Sequence, residues 1–352
     1  MPFSNPIKSR RIRSAAELPE ETHFRRGCGR IGKQRRSKRF SAIVSALLLA
    51  GGLAACGQSG AQGQLTLTLG DQANGLQTLM TAAHVLDGTN YQVKWAEFQG
   101  AAPLFQAMQG GQVDTGTAAD LPTLQAISGK LPIKLVSALQ GSGAGTAILV
   151  RGDSSVHSVA DLKGKTVVVS SARGSVAEYL LAKVLQDNGL KFSDVTVQYV
   201  LPTAAQAAFN SGQTEIWATF DPYHSIGLAS GGRVLVDGTQ GRVSGVGFIS
   251  AAESSLADPA KKAAITDFLQ RLTRAEAWAT ANPDQYAQVY AKTNSVAPDI
   301  AKKVVEHGQT AAGPVTPQVV TTVQGVADLM HGIGALPTDV RVADVTDTSV
   351  YH

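Results

Sequence analysis

The chain has 352 residues, with 31 Lys and Arg against 27 Asp and Glu and a formal net charge of +4. That basic balance sits at one end: residues 1–55 hold twelve of the bases and three of the acids, which leaves 19 bases and 24 acids, net −5, in the remainder. The main body therefore excludes a basic footprint for nucleic acid. The chain's only Cys residues are Cys28, inside residues 1–55, and Cys56, which excludes an internal disulfide, a catalytic thiol and a Cys-based metal centre once the leader is removed.

In chain order the first element is that leader. "GKQRRSKRF" gives way to "SAIVSALLLAGGLAAC", the charged flank, apolar run and small-residue end of a secretory signal. The run is short and interrupted by Gly51 and Gly52, unlike a spanning helix. Leu53-Ala54-Ala55-Cys56 resembles a bacterial lipobox, which implies cleavage after Ala55 and acylation of the Cys56 thiol. Residues 1–55 are expected to be a lipoprotein signal peptide and 56–64 a flexible tether. The protein is then exported and held at the outer face of the cytoplasmic membrane by its acyl chains. Arg35-Arg36 raises a twin-arginine route, but the apolar residues of such a signal do not follow directly.

The body carries a repeat. "GQVDTGTAADLP" from Gly111 and "GQTEIWATFDP" from Gly212 share Gly-Gln, an acid (Asp114, Glu215), a strand-like run, then Asp and Pro, at an offset of 101 residues. Their surroundings repeat too. "LTLTLGDQANGLQTLMTAAHVL" and "KTVVVSSARGSVAEYLLAKVL" each read as strand, polar loop and helix. "YQVKWAEF" and "TVQYV" read as second strands; "PLFQAMQGG" and "AAQAAFNSG" read as short helices stopped by Gly. Each half thus predicts strand–helix three times over, and parallel sheets with crossover helices. "PIKLVSAL", "GTAILVRGD" and later "VSGVGFISAA" are strands that carry the chain between lobes. The rest is expected to be helical, beginning at Pro259 behind an Asp258 cap. The tail from Leu336 is expected to be an ordered loop against the first lobe.

The stretches "VKWAEFQGAAPLFQAMQGGQVDTGTAADLP", "ILVRGDSSVHSVADLKGKTVVV", "GSVAEYLLAKVLQDNGL" and "ANPDQYAQVYAK" together resemble the substrate-binding proteins of ABC importers, in the aliphatic sulfonate, taurine and nitrate group. The likeness runs from about Leu65 to about Val345. It implies an α/β fold of two doubly wound lobes joined by two hinge crossings, the type II periplasmic binding protein plan. Lobe 1 would comprise 65–143 and 247–345, and lobe 2 would comprise 144–246. It further implies a small-molecule anion clamped between the lobes, permease and ATPase subunits as partners, a monomer, and neither cofactor nor metal.

Open sheets place ligands beyond the carboxyl ends of their strands, and helix starts there offer N–H donors to an anion. The site is therefore expected at the loops 70–75, 117–121, 170–175 and 219–223, with 140–145 at the first hinge. Gln72 and Asn74 offer amides, although Asn74 is equally readable as a plain helix cap. Asp120 reads chiefly as an organiser of its loop. Gln140 stands at the hinge. Gly174 and Ser175 match a Gly-Ser/Thr step of the family, and Arg173 adds a fork of donors or is an exposed loop residue. Asp221 matches the family's Trp-Asp-Pro, with Phe220 in place of the Trp; Trp217 reads as core. His224 reads as a helix-surface residue, and no metal spacing is present. Capture of a sulfonate-like oxyanion such as taurine or nitrate is the leading function. Alternatives are a thiamine-precursor pyrimidine or other heterocycle, where stacking would dominate, and an enzyme on the same scaffold.

Overall fold

The computed structural model describes residues 64–351. The signal peptide over 1–55, the Cys56 acyl site and the tether as far as residue 63 lie outside the described residues. No helix among the described residues is long and apolar enough to cross a membrane.

The first half runs β1 (Thr66–Gln72), α1 (Gly75–Ala82), β2 (Gln92–Phe98), α2 (Ala101–Gln109), β3 (Thr115–Ala119), α3 (Asp120–Ser128) and β4 (Ile133–Gly141). The second runs β5 (Thr146–Arg151), β6 (Thr166–Val169), α4 (Val176–Asp187), β7 (Thr196–Tyr199), α5 (Pro202–Asn210), β8 (Ile216–Phe220), α6 (Tyr223–Ala229) and β9 (Gly232–Asp237). The chain then returns through β10 (Val246–Ala252), α7 (Glu253–Ala257), α8 (Pro259–Ala281), α9 (Pro283–Asn294), α10 (Pro298–His307), β11 (Thr310–Gly313) and α11 (Pro317–Gly332).

Two sheets result, one of six strands in the order β11-β4-β10-β3-β1-β2 and one of five in the order β7-β6-β8-β5-β9. In the first, β1 lies between β2 and β3, parallel to both; in the second, β6 lies likewise between β7 and β8. The repeat seen in the sequence is thus a repeated sheet plan. The sheets are mixed, which corrects the expectation of purely parallel ones: β10 runs against β3 and β4, and β5 against β8 and β9. The cause is the crossing itself. A strand that arrives from the other lobe enters at the carboxyl ends of the parallel strands, so Thr146 of β5 pairs with Phe220 at the end of β8. The C-terminal region also departs from all-helical, because β11 joins the edge of the larger sheet against β4.

Each sheet has its own apolar packing. Leu67 and Leu69 of β1 are fully buried and meet Met80 of α1 and Ile265, Phe268, Leu269 and Leu272 of α8. Those α8 residues recur at helical spacing, and burying each contributes roughly 1.5–3 kcal/mol. The Asp258 carboxylate caps α8, accepting from Ala260 N at 2.9 Å and Lys261 N at 3.3 Å. Val167 and Val169 of β6 pack with Leu181 and Leu185 of α4 in the other lobe. The tail lies along β4, where Asp347 N donates to Leu135 O at 3.0 Å.

The two crossings, 142–145 and 238–245, touch backbone to backbone. Gly141 N donates to Gly245 O at 2.8 Å. A Cβ on Gly245, whose φ is +68°, would lie 2.2 Å from Gly141 O. Only glycine permits that approach, so the hinge is fixed by backbone contact.

Candidate functional site

A cavity of about 750 Å³ opens between the lobes, at the carboxyl ends of both parallel strand sets. Eight of the nine residues expected at the site line it: Gln72, Asn74 and Asp120 from the first lobe, and Arg173, Gly174, Ser175, Phe220 and Asp221 from the second. Gln140 is the exception. It is exposed, while its neighbours Leu139 and Gly141 line the cavity, because successive strand residues face opposite sides.

The lobes meet at glycines. A Cβ on Gly174, at φ +81°, would stand 2.9 Å from Gln125 Cγ of α3. A Cβ on Gly100, at φ +113°, would stand 2.9 Å from Ser171 Oγ. Side chains at either position would prop the lobes apart.

Carboxylates of the protein already occupy most of the first-lobe opening, contrary to expectation. Asn74 makes no side-chain cap; its backbone adopts φ 51°, and its N–H donates to Glu97 Oε1 at 2.9 Å. The capping group is Asp71, whose carboxylate accepts from Gln72 N at 2.7 Å, Leu76 N at 3.0 Å and Gln77 N at 2.8 Å. Burial pushes the Asp71 carboxyl up to about 7 against these bonds. Gln72 turns its amide to Thr117 O at 2.7 Å. Asp120 organises its own loop, as read: it is buried, accepts from Leu121 N at 2.6 Å and from Ser244 Oγ, and is pushed up to about 6 by burial.

The second-lobe opening differs. Ser175 caps α4 by accepting from Glu178 N at 3.3 Å, and Gly174 N donates to the Glu178 carboxylate. The N–H groups of Val176 and Ala177 have no partner among the described residues. Ser175 and Val176 line the cavity, so this helix start presents open donors and its partial positive charge. Arg173 is exposed, lies beside it and stacks its guanidinium 5.2 Å from the centroid of the Tyr199 ring. Opposite, Thr117 Oγ1 and Gln125 Oε1 are buried without a hydrogen-bond partner, on cavity-lining residues. Buried polar atoms left unpaired are costly, and a ligand with polar groups would satisfy them. Phe98, Phe105, Phe220 and Tyr223 supply apolar wall, with Phe220 and Tyr223 edge to face at 6.4 Å.

Two histidines escaped the sequence reading. His224, expected on a helix surface, is buried at 3 % exposure. His307, at the end of α10, places Nδ1 2.7 Å from Asp221 Oδ2. The hydrogen bond to Asp221 raises the His307 ring above the usual histidine range against its burial. Asp221 meanwhile accepts from Ser225 N in the first turn of α6 at 2.9 Å. The sequence carries no signal for the pair, since 86 residues separate its members. Trp217 is fully buried, as read, and donates to Ser170 Oγ at 2.9 Å.

These features define an interlobe binding protein for a small organic molecule, and the chain belongs to the NMT1/THI5 like family, which it matches over residues 92–286. It is 30% identical over 281 residues to an Escherichia coli (strain K12) protein provisionally named an aliphatic sulfonates-binding protein, covering 78% of this chain and 86% of the other. Among solved structures it resembles the alkanesulfonate-binding protein SsuA from Xanthomonas axonopodis pv. citri bound to MOPS: the TM-score is 0.74 and the identity 27%, over 80% of this chain and 98% of that one. The periplasmic aliphatic sulphonate binding protein SsuA from Escherichia coli gives a TM-score of 0.71 and 28% identity, over 80% and 92%.

Proposed function

We propose that this protein is the extracytoplasmic solute-binding component of an ABC importer and captures organic sulfonates between its lobes. The observation that carries this reading is the α4 start, where Val176 lines an otherwise largely apolar cavity beside Arg173 with its N–H open, and the N–H of the buried Ala177 behind it is open too. A sulfonate is a permanent anion with three acceptor oxygens and no donor, which suits that wall; its organic body suits the aromatic one. The names of the relatives support the same ligand class. The volume, about 750 Å³, is in the range of small-molecule sites and far exceeds a bare nitrate ion. Arg173, Gly174, Ser175 and Phe220 are assigned to ligand contact, with Gln72, Asn74, Asp120 and Asp221 shaping the wall.

Closure on the ligand biases the lobes towards the form a permease and its ATPase recognise, since only differential affinity shifts such an equilibrium. Lobe 1 is assigned 65–143 and 247–345, and lobe 2 144–246. Export by the leader and an acyl anchor on Cys56 would hold the monomer near its permease. Calorimetry against a series of alkanesulfonates, taurine, nitrate and a hydroxymethylpyrimidine tests the ligand class. Affinity that rises with alkyl length is expected; binding of the pyrimidine alone would overturn the reading.

A further inference from the structure

One cluster has no role in the reading above. Asp221 stands at the end of β8 and His224 on α6, both in the second lobe, while His307 ends α10 in the first. Asp221 Oδ1 is committed to Ser225, and Oδ2 meets His307 Nδ1 at 2.7 Å. The His224 ring stacks on His307, with centroids 5.1 Å apart and planes 12° apart. It is 3 % exposed, and neither of its ring nitrogens makes a well-formed hydrogen bond, the Gly145 backbone offering only a weak contact. One ligand atom from each of the three residues lies within 4.8 Å of the others.

A buried imidazole without a well-formed hydrogen bond is rare and unfavourable. The three ligand atoms converge beside the cavity, and the ring nitrogens of His224 are the donors left over for an ion. The geometry points to a divalent transition-metal site formed by Asp221, His224 and His307, which ties the two lobes together beside the ligand cavity.

Two imidazoles and one carboxylate suit Zn²⁺, Ni²⁺, Co²⁺ or Cu²⁺ rather than Mg²⁺ or Ca²⁺. Bonds to such ions are about 2.0–2.2 Å long, so the three side chains must draw together and the rings leave their stack. The ion takes the place of the proton held between His307 and Asp221, and that proton passes to buffer. Asp221 and His307 also line the cavity. Among the lining side chains Glu97, Asp120 and Asp221 face Arg173 as the only Arg or Lys, so a bound dication would strengthen anion capture. Metal binding itself does not depend on which organic ligand the cavity takes.

The test is calorimetric titration of Zn²⁺ alone into the full chain carrying Cys28→Ser and Cys56→Ser, so that neither thiol contributes. One ion per chain is expected, with a heat that depends on the buffer's protonation enthalpy. His224→Phe and His307→Gln should each weaken binding at least tenfold, while His84→Ala, on an exposed residue, should not. Crystals grown with Zn²⁺ supply a readout that needs no variant: an anomalous peak is expected between Asp221, His224 and His307. No binding, unchanged binding in both site variants, or a peak only elsewhere would overturn the proposal.

Discussion

The loops that follow β1 and β6 occupy equivalent places in two similar sheets, yet their carboxylates take different donors: Asp71 accepts from the helix start itself, Glu178 from Gly174 N in front of it. After β1, Asp71 turns its carboxylate onto Leu76 N and Gln77 N, and the α1 start is neutralised from within. After β6, Ser175 accepts from Glu178 N and the Glu178 carboxylate turns back onto Gly174 N, so Val176 and Ala177 at the head of the helix stay open beside Arg173. The same backbone plan thus yields a structural joint in one lobe and an anion-facing surface in the other. The lesson is that a helix N-terminus is a site only when the chain has not already filled it.

Variants that exchange the two behaviours should separate stability from binding. The largest effect is expected for Asp71→Ala, which strips the acceptor from three N–H groups in a buried loop. Denaturant melts should show a loss of about 2–3 kcal/mol. Its counterpart, Arg173→Ala, should leave the unfolding midpoint in place, since the side chain is exposed. It should weaken sulfonate binding in calorimetry by about 2 kcal/mol, roughly thirtyfold.

A pH series sharpens the contrast, because the first lobe holds its carboxyls in buried places. Burial raises Glu276 to about 7 from 4.5, with Thr310 Oγ1 donating to it at 2.7 Å. A raised acid stabilises the fold fully below its ordinary range and loses that contribution as pH climbs through the raised value. Stability should therefore fall between about pH 4.5 and pH 7. Glu276→Gln should flatten the slope and, at pH 8, be more stable than the parent by about 1–2 kcal/mol. A profile identical to that of the parent would show that Glu276 is ionised at no cost. The smallest effect is expected for Gly75→Ala at the first position of α1. A Cβ there meets nothing within 4 Å, so a gain of about 0.5 kcal/mol is expected in thermal melts.

Much of this was legible in the residues. The repeat at Gly111 and Gly212 announced two equivalent sheets, and its acids prove to be joints. Asp114 accepts from Thr68 N at 2.8 Å, Ser255 Oγ at 2.6 Å and Lys261 Nζ at 2.6 Å. Glu215 accepts from Ser154 Oγ at 2.8 Å and lies 3.6 Å from Lys165 Nζ. Gly174 and Ser175 fell at the cavity because strand–loop–helix order places them there. The antiparallel sense of β5 and β10 was hidden, since alternation reports a strand but not its direction. Asp71 stood in "LGDQANGLQ" in front of the helix, and an acid so close to a helix start was the missed sign of a cap. Gln140 failed by one register step. His224 and His307 failed because nothing local marks residues that meet only after the lobes are folded together.

The most direct test follows the backbone amides of the two helix starts by ¹⁵N–¹H NMR as an alkanesulfonate is added. Val176 and Ala177 should shift downfield with the occupancy measured by calorimetry, while Leu76 and Gln77, held by Asp71, should stay in place. Shifts at Leu76 and Gln77 with none at Val176 and Ala177 would contradict the account.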